Sequence, residues 1–181
     1  MTRKTILKLM FGFLVFYLAG CGYTTRSMIV DKYRSIYITP FENKIDVTQE
    51  GYAANRYRIY RPALETDVTR AVTNRFFTDG NVKPGLLEAA DLMLKGELVE
   101  FRRDPLRYSD NDEVEEYRIN IVVNLALYDK KADQPVWQEA NFTGDTTYFT
   151  AGPQAKSEDA AVSDALSDLA RRIVERTVEQ W

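Results

Sequence analysis

The sequence predicts an α+β fold: a two-layer sandwich with two helices packed on one face of a mainly antiparallel four-stranded sheet. Three observations carry that expectation. Residues 117–129, YRINIVVNLALYD, place Tyr117, Ile119, Ile121, Val123, Leu125 and Leu127 at a period of two, with Arg118, Asn120 and Asn124 on the opposite side. Two other segments, 62–80 and 157–181, carry apolar residues at helical spacing. The 181 residues are 45% apolar, enough for one domain with a substantial core, assigned to residues 33–181.

The elements follow in order. Residues 35–39, Ser-Ile-Tyr-Ile-Thr, alternate as a short strand that Pro40 interrupts. Residues 41–61 show no sustained period and read as a loop, in which Arg56, Arg58 and Arg61 interleave with Tyr57 and Tyr60. Pro62 suits the first position of a helix. Leu64, Val68, Ala71, Val72 and Phe76 continue it, and Gly80 supplies the stop. From Asp91 the period switches to two. Leu92, Leu94 and Leu98 share one face and Lys95 and Glu97 the other, until Pro105 closes the strand.

The strand over 117–129 is expected to be half buried, its polar side left open. A turn-rich stretch over 129–134 joins it to a hairpin partner with Val136, Ala140, Phe142, Gly144 and Tyr148 facing inward. Ser157 is a suitable N-cap, with Glu158 and Asp159 favouring the positive end of the helix dipole. In that helix Val162, Leu166, Leu169 and Ile173 form a stripe to cover the sheet. Val174, Val178 and Trp181 form a second stripe about 100° round, which either completes the core or meets a partner.

The N-terminus speaks to location. Arg3, Lys4 and Lys8 precede an uncharged run over 9–20, the layout of a secretory signal peptide over residues 1–20. That run is too short to span, since a membrane helix needs about 20 apolar residues. Leu18-Ala19-Gly20-Cys21 resembles the bacterial lipobox, which makes Cys21 the lipidated mature N-terminus and residues 21–32 a tether. Two or three acyl chains, at ~0.8 kcal/mol per buried CH₂, would hold the protein permanently in a membrane. Position 22 is Gly rather than Asp, which resembles the sorting pattern for release to the outer membrane. The expected location is its periplasmic face.

Composition closes most chemistry. The chain has 1 Cys and no His, so acylation of Cys21 leaves no thiol for disulfides, metal ligation or nucleophilic catalysis. A Gly-rich phosphate loop after a strand is also missing. No catalytic residue, metal or cofactor is expected. The acidic run 109–116, SDNDEVEE, lacks the glycine and spacing of a calcium loop and reads as a solvated hairpin tip. Without residues 1–20 the chain keeps 24 − 3 = 21 basic against 27 acidic groups, a net charge of −6 that disfavours nucleic-acid binding.

Six pieces in order carry a family resemblance: Cys21-Gly22-Tyr23, IYITPFEN, AADLMLKGEL, EEYRINIVVNLAL, VWQEANFTGDTTYF and the closing DLARRIVERTVEQW. From Cys21 to Trp181 the chain resembles the LptE family of lipopolysaccharide-assembly lipoproteins. The resemblance implies two helices on a four-stranded sheet, seated as a plug inside an outer-membrane β-barrel of the LptD type that delivers lipopolysaccharide to the outer leaflet. It also implies lipopolysaccharide contact through two basic residues. By position these are Arg107, in the loop ahead of the long strand, and Lys156, before the last helix. Phosphates call for charge-assisted donors, and Arg offers a bidentate fork. Arg118, Asn120 and Asn124, with Val174, Val178 and Trp181, are the candidate partner interface. The alternative is a periplasmic lipoprotein that activates a cell-wall synthase or serves another envelope assembly machine.

Overall fold

A computed structural model describes residues 32–46 and 61–178. The signal peptide, Cys21, Arg56, Tyr57, Arg58, Tyr60 and Trp181 lie outside the described residues. The elements run β1 (Ser35–Ile38), β2 (Glu42–Asn43), α1 (Leu64–Asp79), β3 (Lys83–Pro84), β4 (Leu92–Tyr108), β5 (Val114–Asp129), β6 (Gln134–Phe149) and α2 (Glu158–Val178).

Helix α1 buries Leu64, Val68, Val72 and Phe76, one residue every four, so a single stripe meets the core. Gly80 ends it at φ 76°, donating its backbone N–H to Phe76 O at 3.1 Å. Pro62 does not occupy the first helical position; it lies in a turn, and Ala63 at φ 59° precedes the helix. Helix α2 begins as its sequence predicts, with Ser157 Oγ accepting the Ala160 N–H at 3.2 Å.

The sheet departs from the four-stranded, mainly antiparallel expectation. It has six strands in the order β3-β1-β4-β5-β6, with β2 also paired to β4. β1 pairs parallel with both β3 and β4, and β2 parallel with β4, while β4, β5 and β6 form a long antiparallel meander. The parallel part follows from connectivity, because α1 carries the chain back across the sheet between β1 and β3. Two-residue strands such as β2 and β3 have no periodicity to announce them.

Two irregularities correct the strand boundaries and facing. Pro105 does not close β4; the strand runs on to Tyr108, with a register shift between Pro105 and Arg107 that accommodates the missing N–H. In β6, register jumps from Val123↔Phe142 to Leu125↔Glu139, leaving Ala140 and Asn141 opposite Asn124 alone. Asn141 takes φ 56° in this bulge. The alternation reverses there, so Trp137 is buried, Ala140 is exposed, and Val136 packs only partly against the core.

One hydrophobic cluster fills the space between sheet and helices, from Ile36, Leu92 and Leu94 through Ile119 and Ile121 to Leu169 and Ile173. Val174 and Val178 belong to it, at 1% and 9% exposure, so these two residues of the second stripe complete the core rather than face a partner. Gly144 lets α2 lie directly on β6: a Cβ there would meet the Leu169 backbone nitrogen at 2.6 Å.

Candidate functional site

The sheet face away from the helices is built by alternate residues of β4, β5 and β6. Glu100, Arg102 and Asp104 share that face on β4, with Arg102 donating to Glu100 at 3.0 Å and to Asp104 at 2.8 Å. Asn120 of β5 joins them, its Nδ2 donating to Asp104 Oδ2 at 2.8 Å. These neighbours leave Asn120 only 7% exposed, which corrects its expected place on an open surface. Asn124 is likewise occupied, since its Oδ1 accepts the Asn141 N–H at 3.1 Å and holds the β6 bulge. Of the three interface candidates on this strand, Asn124 is half-buried and Arg118 is exposed, its side chain 47% exposed and 3.9 Å from Asp145.

Helix α2 is fastened across the edge strand. Asp168 accepts the Asp145 backbone N–H at 3.2 Å, and Arg176 reaches Glu139 at 3.0 Å while lying 5.0 Å over the Trp137 ring. This cover blunts the middle of an otherwise open sheet edge. At the start of α2, Arg103 pairs with Glu158 and stands 4.7 Å over Tyr117, which stacks on Tyr148 at 5.8 Å. Burial pushes the Tyr148 phenol above its ordinary pKa, with the nearby Glu158 charge adding to the rise.

Of the two lipopolysaccharide candidates, Arg107 stands at the distal end of the β4–β5 hairpin, and Lys156 is tied to that end through its backbone while its side chain turns to α2. Arg107 lies inside β4 rather than in a loop, with its guanidinium 5.6 Å over the Phe149 ring and 3.8 Å from Glu116. Lys156, 49 residues later, donates its backbone N–H to Phe149 O at 3.0 Å, and its Nζ pairs with Asp164 at 2.7 Å. Both side chains are about half exposed or more, at 60% and 47%. The Lys156–Asp164 pair is exposed on both sides and contributes little, whereas Glu116 beside Arg107 is only 16% exposed. Leu106 and Tyr108 flank Arg107, at 44% and 52% exposure.

These two apolar neighbours and Phe149 are what the sequence reading missed. The signal in the sequence is the continuation Leu106-Arg107-Tyr108 after Pro105, an apolar-basic-aromatic alternation that a strand ending at the proline leaves out. Among the described residues no group of three or more His, Cys, Asp or Glu side chains could hold a metal, and no helix is long and apolar enough to cross a membrane. At the tip itself, Ser109 Oγ accepts the N–H groups of Asn111 and Glu113 at 3.3 and 3.2 Å, closing the acidic run as a tight turn.

Comparison with known proteins decides the family. The profile of the LptE, lipopolysaccharide-assembly, family matches residues 33–177, most of the chain. This chain belongs to the LptE family. The protein is therefore a non-enzymatic lipopolysaccharide-assembly lipoprotein of the cell envelope. Among curated proteins none matches the sequence significantly. Among solved structures, the hypothetical protein CT253 from Chlamydia trachomatis is similar at TM-score 0.52 and 14% identity, over 80% of this chain and 95% of that one. Protein XCC0632 from Xanthomonas campestris is similar at TM-score 0.51 and 14% identity, over 81% of this chain and 84% of that one. At such identity the likeness is one of fold, and it agrees with an LptE domain built from two helices and a mixed sheet.

Proposed function

We propose that this LptE-family protein is anchored by acylated Cys21 in the periplasmic leaflet of the outer membrane and plugs a β-barrel lipopolysaccharide translocon of the LptD type. In this role the distal hairpin end contacts the glycolipid. The observation that carries the reading is the Arg107 guanidinium, 60% exposed over the Phe149 ring, with Leu106 and Tyr108 exposed at the same strand end. A phosphorylated glycolipid carries anionic groups and acyl chains together, and this end supplies charge-assisted donors beside apolar surface. Dense ion pairing elsewhere on the sheet supports a docking surface, because Arg118 and Asp145 offer complementary polar contacts rather than a bare apolar patch.

A photo-crosslinking amino acid at position 118, expressed in cells, tests the barrel assignment. Mass spectrometry of the adduct should identify an outer-membrane β-barrel lipopolysaccharide-assembly protein. Capture of a cell-wall synthase instead would sink the plug reading in favour of an activator.

A further inference from the structure

Five large apolar side chains stand exposed among the described residues: Phe77, Leu86, Leu87, Leu106 and Tyr108. The fold sorts them to its two ends. Leu106 and Tyr108 belong to the distal hairpin already described. Leu86 and Leu87 sit in the turn joining β3 to β4, and Phe77 in the last turn of α1, just before β3. Register places these at the opposite end, because Ser35 pairs with Lys83, Ile36 with Leu92, and Leu92 with Asp129. With 17 residues in β4, the two ends lie roughly 50 Å apart.

The leucine turn is held firmly. Leu86 O accepts the N–H groups of Ala89 and Ala90 at 3.1 and 3.0 Å, and Lys130 Nζ donates to Leu87 O. Leu86 nonetheless stays 76% exposed and Leu87 41% exposed. Adjacent leucines fixed outward on a rigid turn call for an apolar contact.

The chain's own geometry names that contact. Lys32, the first described residue, is fastened at this same end, its Nζ 3.2 Å from Asp129 Oδ2. Cys21 lies 32 − 21 = 11 residues earlier, a stretched reach of roughly 36–40 Å. A lipid on Cys21 therefore holds the leucine end within about 40 Å of the bilayer, while the Arg107 end is free to stand farther out.

We propose that the Leu86-Leu87 turn, with Phe77 at the same end, is a membrane-docking surface that inserts into the phospholipid leaflet holding the N-terminal lipid. It gives the anchor a second, orienting contact. The inference rests on the reading of Cys21 as acylated. Lys32 and Lys131 here are paired with Asp129 and Asp91, so apolar side chains rather than net charge carry the contact, and salt should scarcely weaken it.

The test uses the full protein carrying Leu87→Cys, labelled with an environment-sensitive fluorophore and placed in phosphatidylethanolamine/phosphatidylglycerol vesicles with brominated acyl chains. Leu106→Cys, labelled the same way, reports the far end, and the mass of the N-terminal fragment reports acylation. Quenching several-fold stronger at position 87 than at 106, retained in high salt, is the expected result. Equal quenching at the two positions, or none at 87, overturns the surface even where acylation is present. Strong quenching at 87 on a chain without acyl mass would keep the surface and sink the anchor. Absence of both would sink both.

Discussion

Gly144 of β6 lies against Leu169 of α2 so closely that a single added methyl group would meet the helix backbone, the nitrogen at 2.6 Å. A backbone cannot rotate aside as a side chain can. Gly144→Ala should therefore push α2 off the sheet and lower stability by roughly 1–3 kcal/mol or more, read as a drop in thermal midpoint. Gly96→Ala is the comparison, since a Cβ there meets the Phe41 ring, which can swing. The Gly144 variant should melt lower than the Gly96 variant; the reverse order would mean that helix and sheet are not pressed together there.

The paired substitutions Ile121→Asp and Asn120→Asp test the two faces of β5. Ile121 is fully buried against the helices, and a carboxylate there should cost several kcal/mol. Simple alternation makes Asn120→Asp look harmless. The structure reverses that expectation, because position 120 is itself buried and would set a second carboxylate against Asp104, now 2.8 Å from the Asn120 amide. A loss of about 1–3 kcal/mol follows from the lost hydrogen bond and the like charge, measured by denaturant unfolding. An Asn120→Asp protein with wild-type stability would contradict the network.

That contrast shows what the sequence could and could not carry. Alternation correctly set Ile119, Ile121, Val123, Leu125 and Leu127 inward, because a period of two is a property of one strand. Burial of Asn120 depends on Arg102 and Asp104 from another strand, and no local pattern encodes it. The same limit explains Asn141, whose bulge reverses the facing of Trp137 and Ala140, and Pro105, which a register shift keeps inside β4. Arg107 could be matched to a family position, yet the Phe149 ring beneath it comes from a chain segment 42 residues away and appears only on folding.

Acid sensitivity should concentrate at the end where β1, β4 and β5 meet. Lys131 at 2.8 Å, the Arg34 N–H and the Ser35 hydroxyl hold the Asp91 carboxyl down to about 2. Asp129 is held well below its ordinary range by the Tyr33 hydroxyl at 2.7 Å, the Ala132 N–H and Lys32. A depressed folded-state pKa means stability fully present above the unfolded value near 4 and lost as pH falls toward 2. Asp91→Asn should thus melt several degrees below wild type at neutral pH, and the gap should shrink across that window. A gap that stays constant down to pH 2 would show that the charge contributes nothing.

Cys21→Ser removes the one thiol in the chain. The variant should accumulate as an unacylated precursor that keeps residues 1–20, and should lose label from radioactive palmitate. Labelling at the wild-type level would remove the basis of the anchor.

The distal hairpin yields the functional prediction. Arg107→Glu replaces the donor over Phe149, and Lys156→Glu the donor paired with Asp164, with a charge that repels phosphate, and both positions are exposed enough for folding to survive. Each should weaken lipopolysaccharide binding by on the order of tenfold, the scale of losing a charge-assisted hydrogen bond of 1.5–3 kcal/mol offset by solvent screening. Leu106→Ser with Tyr108→Ser tests the apolar part separately, since it removes exposed hydrophobic surface and leaves both cations. If charge and apolar contacts act on one ligand, the apolar variant should also weaken binding, and its remaining affinity should fall more steeply with salt than that of Arg107→Glu. Purified lipopolysaccharide titrated against the four proteins decides the matter. Undiminished binding by both charge variants would remove this end from lipopolysaccharide contact and leave Arg118 on the sheet face as the next surface to reverse.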